Sequence, residues 1–143
     1  MPIKALILSS RKPGLTLEEF RTAYEAHVQL IKRLAGDTFP LSHRRTYIAR
    51  TTIEPGTDDP SSSDITTARN PTTPAIVVRG EQADFDFDAT AELTFADQEA
   101  ADRFMARIGQ IEVAKQLLED EERFLDRERV GIVMVGDVTE TTN

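Results

Sequence analysis

The chain has 143 residues, enough for one domain with a single core, and 39% hydrophobic against 29% charged residues suits a globular domain. It contains no cysteine, which excludes disulfides, thiolate nucleophiles and cysteine metal sites. With 25 Asp+Glu against 17 Lys+Arg the net charge is −8, which argues against nucleic acid and anionic membranes as partners, since both are bound through basic surface.

The apolar run over residues 3–8, ended by Ser9, Ser10, Arg11, Lys12, Pro13 and Gly14, predicts a buried strand and a turn. It is too short for a signal-peptide core, and no run approaches the length of a membrane span; an intracellular, cytoplasmic protein is expected. Over 16–34, Leu17, Phe20, Tyr24, His27, Ile31 and Leu34 recur at three- and four-residue steps and define one helical face. Thr16 with Glu19 forms a capping box, Leu15 can staple onto Phe20, and Gly36 sits where a helix stops.

A second strand is predicted over 44–51. The stretch 54–74 then changes character, with Pro55, Pro60, Pro71, Pro74 and the serines 61–63. It has too few large apolar groups to offset the entropy of ordering, so a mobile insertion is expected, either inert or a lid over a pocket. A third strand follows over 89–95, with Ala89, Ala91, Leu93 and Phe95 on one face and Asp88, Thr90, Glu92 and Thr94 on the other. Asp97 can cap a second helix with the stripe Ala101, Phe104, Met105 and Ile108, closed by Gly109. A third helix is predicted over 111–124 with Ile111, Ala114, Leu117, Leu118 and Leu125 inward, and the apolar run 130–135 is the fourth strand.

This order predicts one α+β domain over 1–143, a ferredoxin-like βαββαβ arrangement with an antiparallel four-stranded sheet. Strands one and four are apolar on both faces. With helices on one side, a second copy of the sheet is the economical cover for the other, so a homodimer is expected.

Few residues can carry chemistry. His27 falls at the centre of an apolar stripe, as a packed core histidine with one hydrogen bond or as an acid–base group. His43 is expected in a solvent-exposed junction. Two histidines so far apart make a weak case for a metal, and none is expected. Glu121 falls at the centre of the third helix's inner face, with Asp120 off to one side; it is either frayed into water or paired inside. Glu92 is either an ion-pair partner of Arg44 or Arg45 or a functional carboxylate. Tyr47 is either a phenol in a pocket or a core aromatic. No nucleophile elbow, phosphate loop, dinucleotide fingerprint or zincin motif is present. The remaining possibility is an acid–base pair in an apolar cavity, suited to proton transfer on a carbonyl compound without cofactor or metal.

Lys12, Gly14, Thr16, Glu18, Glu19 and Phe20, followed by Tyr24 and His27, resemble the opening of EthD-domain proteins. Asp86 and Asp88, the run 91–95, and Asp120, Glu121, Phe124 and Asp126 are similar to the fungal branch of that family. The resemblance implies a dimeric α+β barrel and a cofactor-free decarboxylase, dehydratase or cyclase of aromatic polyketides. The same fold also serves plain ligand binding. It matches His27 to the family's first-helix histidine and Glu121 to the glutamate of its Asp-Glu pair. Gln29 stands where the family usually carries proline. The expected catalytic set is His27, Glu121, Tyr47 and Glu92, with His27 and Glu121 paired beside a cavity between the first helix and the sheet. Phe20, Tyr24, Ile31, Phe104 and Phe124 are its expected substrate lining.

Overall fold

A computed structural model of the chain describes residues 1–53 and 66–143. The elements run β1 (Ile3–Ser9), α1 (Leu17–Ala35), β2 (Ser42–Tyr47), β3 (Ala89–Phe95), α2 (Gln98–Ile108), α3 (Ile111–Glu121) and β4 (Gly131–Met134). All pairings are antiparallel, in the order β2-β3-β1-β4, with the three helices against one face of the sheet. This is the ferredoxin-like α+β arrangement expected from the order of elements. Among the described residues no helix is long and apolar enough to cross a membrane.

Local chemistry places α1. The Thr16 hydroxyl accepts from the Glu19 amide and the Glu19 carboxylate accepts from the Thr16 amide, both at 3.0 Å. Such a cap contributes about 1 kcal/mol and sets where the helix starts. Gly36, at φ 59°, ends it in a conformation that side chains disfavour. Without a proline at 29, α1 runs unbroken through Gln29.

Strict alternation on β3 buries Ala89, Ala91, Leu93 and Phe95 under the helices. Two packed clusters result. One joins Ala91, Leu93, Phe95, Ala101 and Phe104, with Ile31 against it. The other joins Phe20, Tyr24, Val28, Ala89 and Phe124, with Leu15 and Tyr47 against it.

Three helical and strand expectations are corrected. Met105 is 61% exposed rather than part of the α2 stripe, which narrows to Ala101 and Phe104 with Ile108 beside them. On α3, Ile111 is 84% exposed and Leu118 is also exposed, while Val113 and Leu117 are buried. The helix ends at Glu121, and Phe124 is drawn inward because its carbonyl accepts from the Lys12 amide at 2.8 Å while the Asp126 amide donates to Ser10 at 2.9 Å. That tie to the end of β1 rotates α3 away from the face its leucines suggest. Finally, β2 starts at Ser42 and ends at Tyr47, because the following residues pair with 72–76 instead.

That pairing belongs to a buried polar clasp. Asp88, 4% exposed, accepts from the Arg11 amide at 2.7 Å and from Arg11 Nε at 3.1 Å, and Arg50 Nε lies 3.0 Å from it. Arg11 also donates to Asn70 and Thr73, Arg50 to the carbonyls of Thr73, Phe85 and Phe87, and Arg69 to Asp126. Residues 66–74, which the composition assigns to a mobile insertion, are therefore fastened at one end of the sheet. The rest of that stretch, 54–65, lies outside the described residues.

β4 is an edge strand. Ile132 is 68% exposed and Val133 and Met134 are also open, since no helix extends over them. Leu6, Leu8 and Val133 share the sheet face away from the helices with Thr90, Glu92 and Thr94.

Candidate functional site

The packing of α3 against α1 brings a histidine and two acids together. His27 Nδ1 lies 2.8 Å from Asp120 Oδ2, a hydrogen bond, and its Nε2 lies 3.7 Å from Glu121 Oε1, too far for one. The ring is 4% exposed and packs on Phe124 at 5.2 Å between centroids. Both acids thus reach His27: Glu121 stands within ion-pair distance of the outer nitrogen, as expected, while Asp120, expected off to one side, takes the hydrogen bond. The same rotation of α3 explains the change. Val113, Leu117, Asp120 and Phe124 follow at four-, three- and four-residue steps, a stripe that the sequence contains but that the neighbouring leucines mask.

Asp120 is held as a carboxylate. Burial pushes its pKa up, but hydrogen bonds from His27 and Arg123 outweigh this and leave it below the ordinary value. An ionised carboxylate only accepts, so Nδ1 of His27 carries a proton toward Asp120.

The other expected site residues divide between three places. Phe20, Tyr24 and Phe124 share one cluster, with the Phe20 and Phe124 rings 5.9 Å apart and Tyr24 5.6 Å from Phe124, and Phe124 is the ring that meets His27. Ile31 and Phe104 belong to the other cluster and do not line this site. Tyr47 stands near by on β2, where its hydroxyl donates to Glu25 at 2.6 Å; burial, then that carboxylate, push its pKa up. Glu92 points to the opposite face of the sheet, where its partner is Lys4 at 3.0 Å rather than Arg44 or Arg45. Arg45 turns to the helix side and holds Glu25 through two bonds of 2.6 and 2.9 Å.

His43 is also corrected. It is not exposed in a junction but half-buried on β2, stacked on Phe39 at 6.4 Å and met edge-on by Tyr24. Burial, and then the charge of Arg45, lower its pKa from 6.5 to about 4. A histidine with a depressed pKa binds its proton more readily when unfolded. Stability is therefore expected to fall as the pH drops from about 6.5 toward 4, and to be insensitive to this group above 6.5. Urea denaturation of wild type and His43→Gln between pH 7 and 4.5 should show the wild type losing more, by roughly 1 kcal/mol per pH unit or less. Parallel pH slopes would refute the assignment.

Clefts open on the described surface at the polar clasp, beside residues 74–83 and along the start of α1, and these three are lined by residues other than His27, Asp120, Glu121 and Tyr24. The one at the polar clasp, about 880 Å³, is lined by Arg11, Lys12, Arg69 and Arg129 among others. Among the described residues, no group of three or more His, Asp or Glu side chains is placed to hold a metal ion.

Residues 12–128 match the family model of the EthD domain. A crystal structure of an Arabidopsis thaliana protein shares the fold at 15% identity, over 98% of this chain and 99% of that one, with a TM-score of 0.53. An ethyl tert-butyl ether D (EthD) family protein from Bacillus halodurans does so at 12% identity, over 96% and 100%, with a TM-score of 0.50. At these identities the likeness is one of fold. No protein of curated function matches the chain.

Proposed function

The chain belongs to the EthD-domain family, and from that premise we propose that it is a cofactor-independent lyase or cyclase. Its substrate class is a small aromatic, polyketide-like carbonyl compound. The observation that carries this reading is the buried hydrogen bond between His27 and Asp120. In the neutral ring it fixes the tautomer and leaves Nε2 as a base. Deprotonation of a carbon beside a carbonyl is the step common to aldol cyclisation and dehydration, and protonation at that carbon completes decarboxylation. Glu121, beside Nε2, is the group through which a proton leaves for solvent. His27 is 4% exposed and packs on Phe124, which follows α3, so substrate access to Nε2 in this proposal is through movement at the end of α3.

Incubation of the protein with aromatic β-polyketones and β-keto acids, followed by mass spectrometry, tests the proposal. Loss of carbon dioxide or of water, faster than in buffer, is the expected result; unchanged masses across the series count against it. The packed aromatic cluster favours a second reading, a domain that takes up a small hydrophobic ligand without turning it over. Saturable binding with no mass change would select that one.

The working unit in this proposal is a homodimer. Leu6, Leu8 and Val133 lie on the uncovered sheet face and the apolar edge strand β4 adjoins them. Burying such a face is favourable at about 25 cal/mol per Å². Light scattering at micromolar concentration should return twice the chain mass; a single chain mass would refute the dimer.

A further inference from the structure

We propose that His43 is a second functional residue of this site, an imidazole that Arg45 holds as its Nε2–H tautomer so that it donates a hydrogen bond to the substrate's carbonyl oxygen. The inference rests on the acid–base reading of His27 and gives that reading its second half.

The alternation of β2 places His43, Arg45 and Tyr47 on the helix face, opposite the buried Leu93, Ala91 and Ala89. Arg45 Nη1 lies 3.1 Å from His43 Nδ1 and also donates to the His43 carbonyl at 2.9 Å. A guanidinium has donors only. Nδ1 must therefore accept, and the single proton of the neutral ring sits on Nε2. Arg45 is itself fixed by the two bonds to Glu25, and Glu25 by the Tyr47 hydroxyl. The ring plane is set by Phe39, stacked within 10° of parallel, and by the edge of Tyr24. Burial and Arg45 keep the ring neutral at pH 7.

His27 is held in the opposite sense. Its Nδ1 donates to Asp120, so in the neutral ring this proposal calls for, Nε2 is the acceptor. The two rings are linked through Tyr24, which packs against His43 and against Phe124, while Phe124 packs against His27. One imidazole offers a lone pair and the other a proton. That is the complement of an enolisable ketone. His27 Nε2 takes the proton from carbon, the C–H electron pair becomes the C=C bond, the carbonyl π pair moves to oxygen, and His43 Nε2–H donates to that oxygen. The His27 imidazolium returns its proton in the following step, so neither residue is changed over the cycle.

Two measurements test this. In the free protein at pH 7, ¹⁵N NMR of the imidazole nitrogens should find the His43 proton on Nε2 and the His27 proton on Nδ1. A His43 proton on Nδ1, or a doubly protonated ring, overturns the inference. The second uses benzoylacetone, an aryl 1,3-diketone, and follows deuterium uptake at its central carbon. His43→Phe keeps an aromatic ring for Phe39 and Tyr24 but has no donor, and should lower the protein-catalysed rate about 10²–10³-fold. His43→Gln, whose amide can donate from a similar place, should recover most of that loss. If wild type accelerates exchange and His43→Phe does so equally, this inference fails while the role of His27 stands. If wild type leaves exchange at the buffer rate, both fail together.

Discussion

Replacing Asp88 by alanine is expected to destabilise the fold by about 3–5 kcal/mol, among the largest effects of any single substitution in this chain. Asp88 is the carboxylate between Arg11 and Arg50, whose side chains are 10% and 1% exposed. Removing it leaves two buried cations without their counter-charge, which costs far more than the pair itself contributes. Burial already pushes the Arg50 pKa down, against the pull of Asp88. The same substitution frees the Arg11 amide and the link from the first strand through Arg11 to Asn70 and Thr73. Urea denaturation measures the loss, and hydrogen exchange should speed up first over residues 66–74. A loss under about 1 kcal/mol would mean that solvent reaches the clasp and screens it, as it does for the half-exposed Lys4–Glu92 pair.

The second large effect is on turnover. With a substrate identified by mass change, His27→Gln should lower kcat by about 10²–10⁴ while the fold persists. Asp120→Asn should come close to it. An asparagine amide can donate as well as accept, so it no longer compels the proton onto Nδ1, and the Nε2 base is lost in the wrong tautomer. Glu121→Gln should cost less, because Glu121 makes no hydrogen bond to the ring. Equal and full rates for His27→Gln and Asp120→Asn would move the chemistry away from this pair and leave ligand binding as the function.

The contrast between Glu121 and Asp120 shows how a short helix misleads. Over eleven residues, the leucines and isoleucine of α3 suggest one inward face, yet Ile111 and Leu118 are exposed. Their apolar area is outweighed by the seating of Phe124 and by the backbone bonds that join residues 124 and 126 to residues 12 and 10. Those partners lie more than a hundred residues away in the chain, so no local pattern announces them. The setting of His43 is masked for a similar reason. Its neighbours Pro40, Leu41 and Ser42 look like a junction, but pairing with β3 extends β2 back to Ser42 and turns the ring inward.

By itself the sequence determined the elements and their order. Thr16 with Glu19, Asp97 and Gly36 mark the ends of helices, and the alternation over 89–95 marks a strand, because caps and periodicity act over three to seven residues. It also placed His27 inside, since the long amphipathic helix carries enough apolar residues to fix its own face. Only the tertiary structure decided which acid hydrogen-bonds His27, that Arg45 rather than solvent meets His43, that Glu92 turns away to Lys4, and that residues 66–74 are clasped by Arg11. Each of these depends on the rotation of an element by a fraction of a turn or on a charge finding its partner across the sheet. Such choices are settled by the sum of distant contacts, which a local sequence pattern does not contain.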